Sequence, residues 1–174
     1  MGDIFLEYIV KQKPTPKMIL MRMGIIIGAI VLTFFMLMLS GNQIVATFLP
    51  ALFCGMCFLV YKLFTGMSYE FEYIVTNGEL DIDKIIARRS RKRVFNARPA
   101  EVEILAPLDE KYRHEYESGT FSKTIDAASS RTSDCRWFLI ANSDKHGRVR
   151  VIFEPTEKMV ENMRLYMPKK VMLP

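Results

Sequence analysis

Residues 18–64 read MILMRMGIIIGAIVLTFFMLMLSGNQIVATFLPALFCGMCFLVYKLF, and this stretch decides the architecture of the 174-residue chain. Only 12 of its 47 residues fall outside the hydrophobic set, and only Arg22 and Lys62 are charged. From Met18 to Leu39 a helix rising 1.5 Å per residue covers about 33 Å, enough to cross a hydrocarbon core of ~30 Å. A second apolar run, from Ile44 to Tyr61 with Pro50 inside it, extends to Phe64, and the Lys62 ammonium can reach back to an interface. The polar uncharged residues Ser40-Gly41-Asn42-Gln43 separate the runs. The expectation is a tight antiparallel pair of membrane-spanning helices over about 18–39 and 44–64.

Working outward, the chain averages of 50% hydrophobic and 25% charged describe an ordinary soluble domain. Outside residues 18–64 the hydrophobic share falls to about two-fifths. The average therefore joins an oily third to a polar two-thirds. That excludes a purely soluble single domain, and it excludes disorder, because both parts can bury apolar surface.

Lys11, Lys13, Lys17 and Arg22 precede the apolar core of the first run, Lys62 follows the second, and the connecting turn carries no charge. By the positive-inside rule, both termini are expected in the cytoplasm of a multi-pass protein of the cell (inner) membrane. The first run starts late and Asp3 and Glu7 occupy the would-be basic segment, so a cleaved signal peptide is not expected. Gly24 and Gly28, and again Ala51 and Gly55, are spaced as small-xxx-small pairs that let helix backbones approach. Counted from the turn, Gly28 and Gly55 stand at the same depth. They either pack on each other or reflect the frequency of glycine in membrane helices. Cys54, Cys57 and Cys135 read as free thiols, since their number is odd and Cys54–Cys57 lies mid-span without further ligands.

In residues 1–17, Asp3, Glu7 and Lys11 recur every four positions among Ile4, Phe5, Leu6, Tyr8, Ile9 and Val10, and Pro14 and Pro16 follow. This reads as a short amphipathic interfacial helix, capped by Asp3 and stopped by the prolines. The alternative is a segment that docks on the C-terminal domain.

After Thr65-Gly66 the apolar period changes from helical to two. Tyr69, Phe71, Tyr73 and Val75 alternate with Glu70, Glu72 and Ile74, Asn77-Gly78 is a two-residue hairpin signal, and Leu80–Ala87 is the partner strand with Asp81 and Asp83 outward. A turn at Arg88–Arg91, a third strand starting at Val94-Phe95 and a fourth over Glu101–Ala106 follow. The polar stretch 108–134 reads as an irregular connection, with Tyr112–Tyr116 at one helical turn and a weak strand near Phe121–Ala127. Arg136–Asn142 and Arg148–Phe153 form a hairpin around Ser143-Asp144-Lys145-His146-Gly147. A last helix, with Pro155 in its first turn, carries the stripe Met159, Val160, Met163, Tyr166 and Met167 and stops at Pro168. The fold class expected is therefore a membrane α-helical hairpin plus an α+β cytoplasmic domain over 68–174, a curled antiparallel sheet capped by a C-terminal helix.

That order of elements resembles the pleckstrin-homology-like (PH-like) domains of bacterial membrane proteins. The whole chain resembles a family of small two-span membrane proteins of Gram-positive bacteria with a C-terminal PH-like domain. The resemblance is carried by Asp3–Glu7 to Lys11–Thr15, by Thr76-Asn77-Gly78-Glu79-Leu80-Asp81-Ile82-Asp83-Lys84-Ile85-Ile86, and by Phe153-Glu154-Pro155. It implies a fold and a topology, and no known activity.

For chemistry, the sequence offers one concentrated feature. Lys84, Arg88, Arg89, Arg91, Lys92, Arg93 and Arg98 form a run of seven cations without an intervening acid, whereas residues 65–174 as a whole carry 19 basic and 17 acidic residues. Three readings compete: contact with anionic lipid headgroups, at about 1 kcal/mol per cation; a solvated hairpin turn that reinforces topology; and an acidic or nucleic-acid partner. Nucleic acid is disfavoured because no aromatic residues interleave the run. Enzymatic signals are weak. His114 and His146 lack matching ligands, Asp81 and Asp83 are two carboxylates on one strand face, Ser129-Ser130 sits on no nucleophile elbow, and Trp137 reads as an anchor. No catalytic residue, metal or cofactor is expected. The reading is a non-catalytic membrane protein that presents its domain to lipid headgroups or a protein partner, with membrane lipids as partners and a homo-oligomer also open. The alternatives are a structural subunit of a larger membrane complex and, last, an unrecognised enzyme.

Overall fold

A computed structural model describes residues 4–41, 43–143 and 147–174. Asp3, Asn42 and Asp144-Lys145-His146, to which the sequence assigns a cap and two turns, lie outside the described residues. The chain divides into two compact units, residues 14–68 and a domain made of the segments before and after them.

Among the described residues, the domain holds eight strands in two four-stranded sheets. The first is antiparallel with order β1-β2-β3-β4: Phe5–Lys11, Tyr69–Thr76, Glu79–Ile86 and Ser90–Ala97. The second, order β5-β7-β8-β6, comprises Val102–Pro107, Trp137–Ser143, Gly147–Phe153 and Lys123–Asp126. The strands β6 and β8 run parallel, which an all-antiparallel expectation does not contain. The inner faces of both sheets and the C-terminal helix share one core that includes Tyr73, Leu80, Ile82, Leu105, Leu139, Val151, Phe153 and Met163. At its centre the Tyr73 and Phe153 rings meet edge-on at 5.5 Å. The buried Tyr73 hydroxyl donates to Ala127 O at 2.7 Å. Burial pushes the Tyr73 phenol up from its ordinary range.

The largest correction concerns the N-terminal segment. Residues 5–11 form β1, hydrogen-bonded to β2 from Phe5↔Thr76 to Lys11↔Glu70, rather than an interfacial helix. A helix of that length is marginal alone. The same residues satisfy a period of two, with Leu6, Tyr8 and Val10 on one face, and β2 would otherwise offer an unpaired backbone edge. The partner residues lie 59 to 71 positions away, beyond the reach of local periodicity. Residues 14–68 are thus inserted into the connection between two hydrogen-bonded strands.

Two smaller corrections follow. The third strand, β4, starts at Ser90 rather than at Val94, so Arg91, expected in the turn, lies on it with Lys92 and Arg93. The C-terminal helix α4 (numbered after three earlier helices, below) spans Glu157–Tyr166, and its cap is Thr156, whose hydroxyl accepts from Met159 N, so Pro155 stands before the helix. Met159, Val160, Met163 and Met167 of the expected stripe are buried, while Tyr166 is exposed.

The stretch 108–134 holds a 3-10 turn, Glu110–Tyr112, the short helix α3, Arg113–Glu117, and β6. Tyr112, Tyr116 and Phe121 pack with Ile104, Leu108 and Met172 over Ala106, Phe138 and Ile140 on the outer face of the second sheet. The Arg150 guanidinium lies over Tyr116 at 4.2 Å and over Phe121 at 4.6 Å.

Unit 14–68 is a helical hairpin: α1, Pro16–Met38, a 3-10 turn, Leu39–Gly41, and α2, Gln43–Gly66. Both helices are long and apolar enough to cross a membrane, and protein buries neither apolar window. The Thr15 hydroxyl caps α1 by accepting from Met18 N. Between the helices, the Thr33 hydroxyl lies 3.8 Å from Met56 Sδ, Arg22 donates to Ser68 Oγ at 3.2 Å, and its guanidinium lies over the Phe64 ring. The Thr33–Met56 contact puts Gly28 level with Tyr61, not with Gly55. A Cβ at Gly24, Gly28 or Gly55 would meet no atom within 4 Å, so the expected Gly28–Gly55 contact does not form within the chain. Cys54, Cys57 and Cys135 are free and exposed.

Candidate functional site

The basic run enters the fold through the turn between β3 and β4. Arg89 N–H donates to Ile86 O at 3.1 Å, closing a four-residue turn. Its two central residues, Ala87 and Arg88, both have φ of 55°. Both lie in the left-handed region, which favours Asn and Gly, within a three-residue loop, 87–89, closed by the pairing of Ile86 with Ser90.

Strand alternation then divides the run between two faces. Lys84 pairs with Lys92 across β3 and β4, on the face that carries Phe71, Ile82 and Phe95 toward the core. The Lys84 ammonium lies 3.6 Å from the Tyr69 ring centroid. Desolvation, helped by Lys92, lowers its pKa.

Arg91 and Arg93 share the outer face, as the alternation predicts, and there they meet acids from neighbouring strands. Arg91 donates to Glu72 Oε1 at 2.8 Å. Arg93 stands 3.5 Å from Asp83 and 3.6 Å from Asp81, and Arg88 stands 3.6 Å from Glu70. Arg98 pairs with Glu101 at 3.0 Å, and that bond with the Arg98 backbone N–H holds the Glu101 carboxyl below its ordinary range. The linear run lacks acids; the sheet supplies them.

Glu72 is the unusual member. Only 1% of it is exposed, although it lies on the outer face. Desolvation raises its pKa, a hydrogen bond with the Glu7 side chain raises it further, and Arg91 opposes both. Asp83, expected outward, is 5% exposed. Asp81 accepts from Asn96 Nδ2 at 2.7 Å. Among the described residues, no three His, Cys, Asp or Glu side chains are grouped to hold a metal ion.

At the turn end of this face lies an open groove of about 560 Å³, lined by Ile9, Lys11, Glu70, Ile85, Arg88, Arg89, Ser90 and Arg91. Three of its lining cations belong to the run read from the sequence. Lys11 and Ile9 were not readable as site residues, because their place depends on β1 being a strand, whereas the pairing of Glu70 with Ile85 follows from the Asn77-Gly78 hairpin. The register Lys11↔Glu70 and Glu70↔Ile85 builds the groove across three strands.

Of the other sequence candidates, His114 sits on the exposed side of α3, and Trp137 is half-buried against the main core. Ala51 and Gly55 lie along α2.

A two-sheet domain closed by a C-terminal helix, with a helical hairpin between its first two strands, is the architecture to compare with known proteins. A model of the family described as bacterial PH-like domain (DUF6106) matches residues 2–173. The chain belongs to this family. The match takes in the hairpin as well as both segments of the domain, so within the DUF6106 family the helices are part of the unit. No curated protein and no solved structure matches the chain.

Proposed function

We propose that this DUF6106 protein is a non-catalytic integral membrane protein of a Gram-positive cell membrane. It spans the bilayer twice, keeps both termini in the cytoplasm, and presents its PH-like domain to anionic lipid headgroups of the inner leaflet. The observation that carries this reading is the insertion of residues 14–68 between hydrogen-bonded β1 and β2. Two strands that pair must lie on the same side of any membrane, so an even number of spans follows from the sheet itself. The chain leaves the sheet after Lys11 and returns at Tyr69, and Tyr69 pairs with Ile86 beside the basic turn. The cations therefore stand at the end of the sheet from which the helices depart. Near an anionic leaflet each exposed cation adds on the order of 1 kcal/mol of attraction.

The test uses the full chain in nanodiscs of phosphatidylcholine alone and with phosphatidylglycerol, followed by hydrogen exchange. Backbone amides of residues 87–93 should gain protection only with the anionic lipid, and Arg88→Ser/Arg89→Ser/Arg91→Ser should abolish the gain. Protection independent of lipid charge defeats the headgroup reading. For topology, a membrane-impermeant maleimide should label Cys135 in a Cys54→Ala/Cys57→Ala background only after cells are permeabilised.

A second reading, a subunit of a larger membrane assembly or a homo-oligomer, is favoured by the open faces at Gly24, Gly28 and Gly55. A single chain per detergent particle would oppose it.

A further inference from the structure

The groove on the outer face of the first sheet differs from a diffuse basic patch in three ways. Its cations come from both sides of the inserted hairpin: Lys11 from β1, and Arg88, Arg89 and Arg91 from the other end of the chain's excursion. Only two of the four are neutralised. Glu70 is the one acid in the lining and faces Arg88, and Arg91 is engaged by Glu72, while Lys11 and Arg89 have no side-chain acceptor among the described residues. Finally, Ile9 and Ile85 add an apolar surface, and Ile9 is 45% exposed. An isoleucine there has no use in a purely electrostatic contact.

The backbone supports the same place. Ala87 and Arg88 both hold left-handed dihedrals, which cost an L-residue on the order of 1 kcal/mol each and which glycine adopts freely. Such strain concentrates at functional sites. Lys84 and Lys92 take no part in the groove, because strand alternation puts them on the opposite face.

We infer that this groove binds the phosphate of one anionic phospholipid per chain, with Lys11 and Arg89 as the free cations that hold it and Ile9 and Ile85 against the first methylenes of its acyl chains. An anionic phospholipid carries a net negative phosphodiester a few bonds from apolar acyl chains, which matches a net positive groove with two isoleucines. Free inorganic phosphate shares the charged half of that chemistry and lacks the apolar half. The inference rests on the membrane reading above, since the lipid must be within reach of the sheet end from which the helices depart.

Native mass spectrometry of the full chain, released from detergent, tests it against phosphatidylglycerol, phosphatidylcholine and inorganic phosphate at equal concentrations. The expected result is a single phosphatidylglycerol adduct that phosphatidylcholine does not form and phosphate does not displace. Lys11→Ser/Arg89→Ser should weaken that adduct tenfold or more, on the order expected for two lost cations. Lys84→Ser/Lys92→Ser removes the same charge from the other face and should leave it intact. Lys11, Arg89 and Lys92 are exposed and Lys84 is half-buried over Tyr69, so unchanged Trp137 emission is needed to show that each variant domain stays folded. Equal weakening by both pairs overturns the groove and leaves the nanodisc result, and hence the membrane reading, standing. Displacement by inorganic phosphate overturns the lipid as ligand. Loss of the lipid-charge dependence in nanodiscs, by contrast, removes the headgroup reading itself.

Discussion

Strand β3 is bounded by two turns that each hold two consecutive left-handed residues, with opposite chemistry. At one end Asn77 and Gly78 have φ of 51° and 82°; at the other Ala87 and Arg88 both have 55°. Asn and Gly are the residues that such a turn favours, whereas Ala and Arg pay a steric penalty for it. The first turn is covered by α4: Gly78 N–H donates to Asn162 Oδ1 at 3.1 Å, and the Tyr166 hydroxyl donates to Asn77 Oδ1 at 3.0 Å. The second turn opens onto the basic groove. One end of the strand is built to close the core, and the other keeps charged side chains at positions where backbone economy would place glycine.

The sharpest way to break this comparison is Gly78→Ala. A Cβ there would lie 2.6 Å from Tyr166 Cβ and 3.1 Å from Pro99 Cγ, in a left-handed backbone. Strain and displacement of α4 together should cost about 2–4 kcal/mol, a large loss for one substitution. Denaturant unfolding of the full chain followed by Trp137 fluorescence would measure it, and a loss below 1 kcal/mol would mean that α4 yields without cost.

Asn162→Ala probes the same end by hydrogen bonding alone. It leaves the Gly78 N–H beneath α4 without an acceptor, which costs about 1–3 kcal/mol. The better helix propensity of alanine returns a few tenths. An unchanged midpoint in the same unfolding assay would show that water reaches this amide.

At the other end the sign reverses. Arg88→Gly relieves one left-handed L-residue and gives up only an exposed ion pair with Glu70, so stability should rise by about 0.5–1 kcal/mol. Phosphatidylglycerol binding should fall in the same variant. A variant that lost both stability and binding would remove the argument that strain is retained there for the sake of charge.

How much of this was legible in the sequence depended on the range of the interactions. The apolar runs from Met18 to Phe64, the Asn77-Gly78 turn and the stripe of α4 are local patterns, and each appears where its period puts it. The identity of β1 was not legible, because Leu6, Tyr8 and Val10 fit a strand only once β2 stands beside them. That one uncertainty propagated into the site: without β1, neither Lys11 nor Ile9 could be joined to Arg89 and Ile85. The partners of the arginines were hidden for the same reason. Nothing within Lys84–Arg98 is acidic, but Glu72 and Asp83 become neighbours of Arg91 and Arg93 through strand pairing. Parallel pairing of β6 with β8 and the packing of Tyr112, Tyr116 and Phe121 likewise depend on surfaces that local sequence does not describe.

The smallest expected effect concerns the charges beside the groove and separates the two ends by pH. Glu72 faces Glu7 from β1, Asp83 from β3 and Arg91 from β4, with Glu70 on its own strand and Arg93 beside Asp83. Burial first, then the shared hydrogen bond with Glu7, raise its pKa in the folded chain. A group so shifted stabilises the fold fully below its unfolded pKa and loses that contribution as pH rises through the folded value. Stability should therefore decline with pH above the ordinary glutamic acid range. Glu72→Gln removes the titrating group while keeping a hydrogen-bonding side chain, so its melting temperature should vary less over the same window, although the variant gives up the charged partner of Arg91. Asn162→Ala, at the far end of the sheet, should keep the wild-type pH slope while lowering the whole curve. Parallel curves for the wild-type chain and Glu72→Gln would mean that Arg91 cancels the effects of burial and Glu7, and that the acid row on the outer face is set by charge pairing alone.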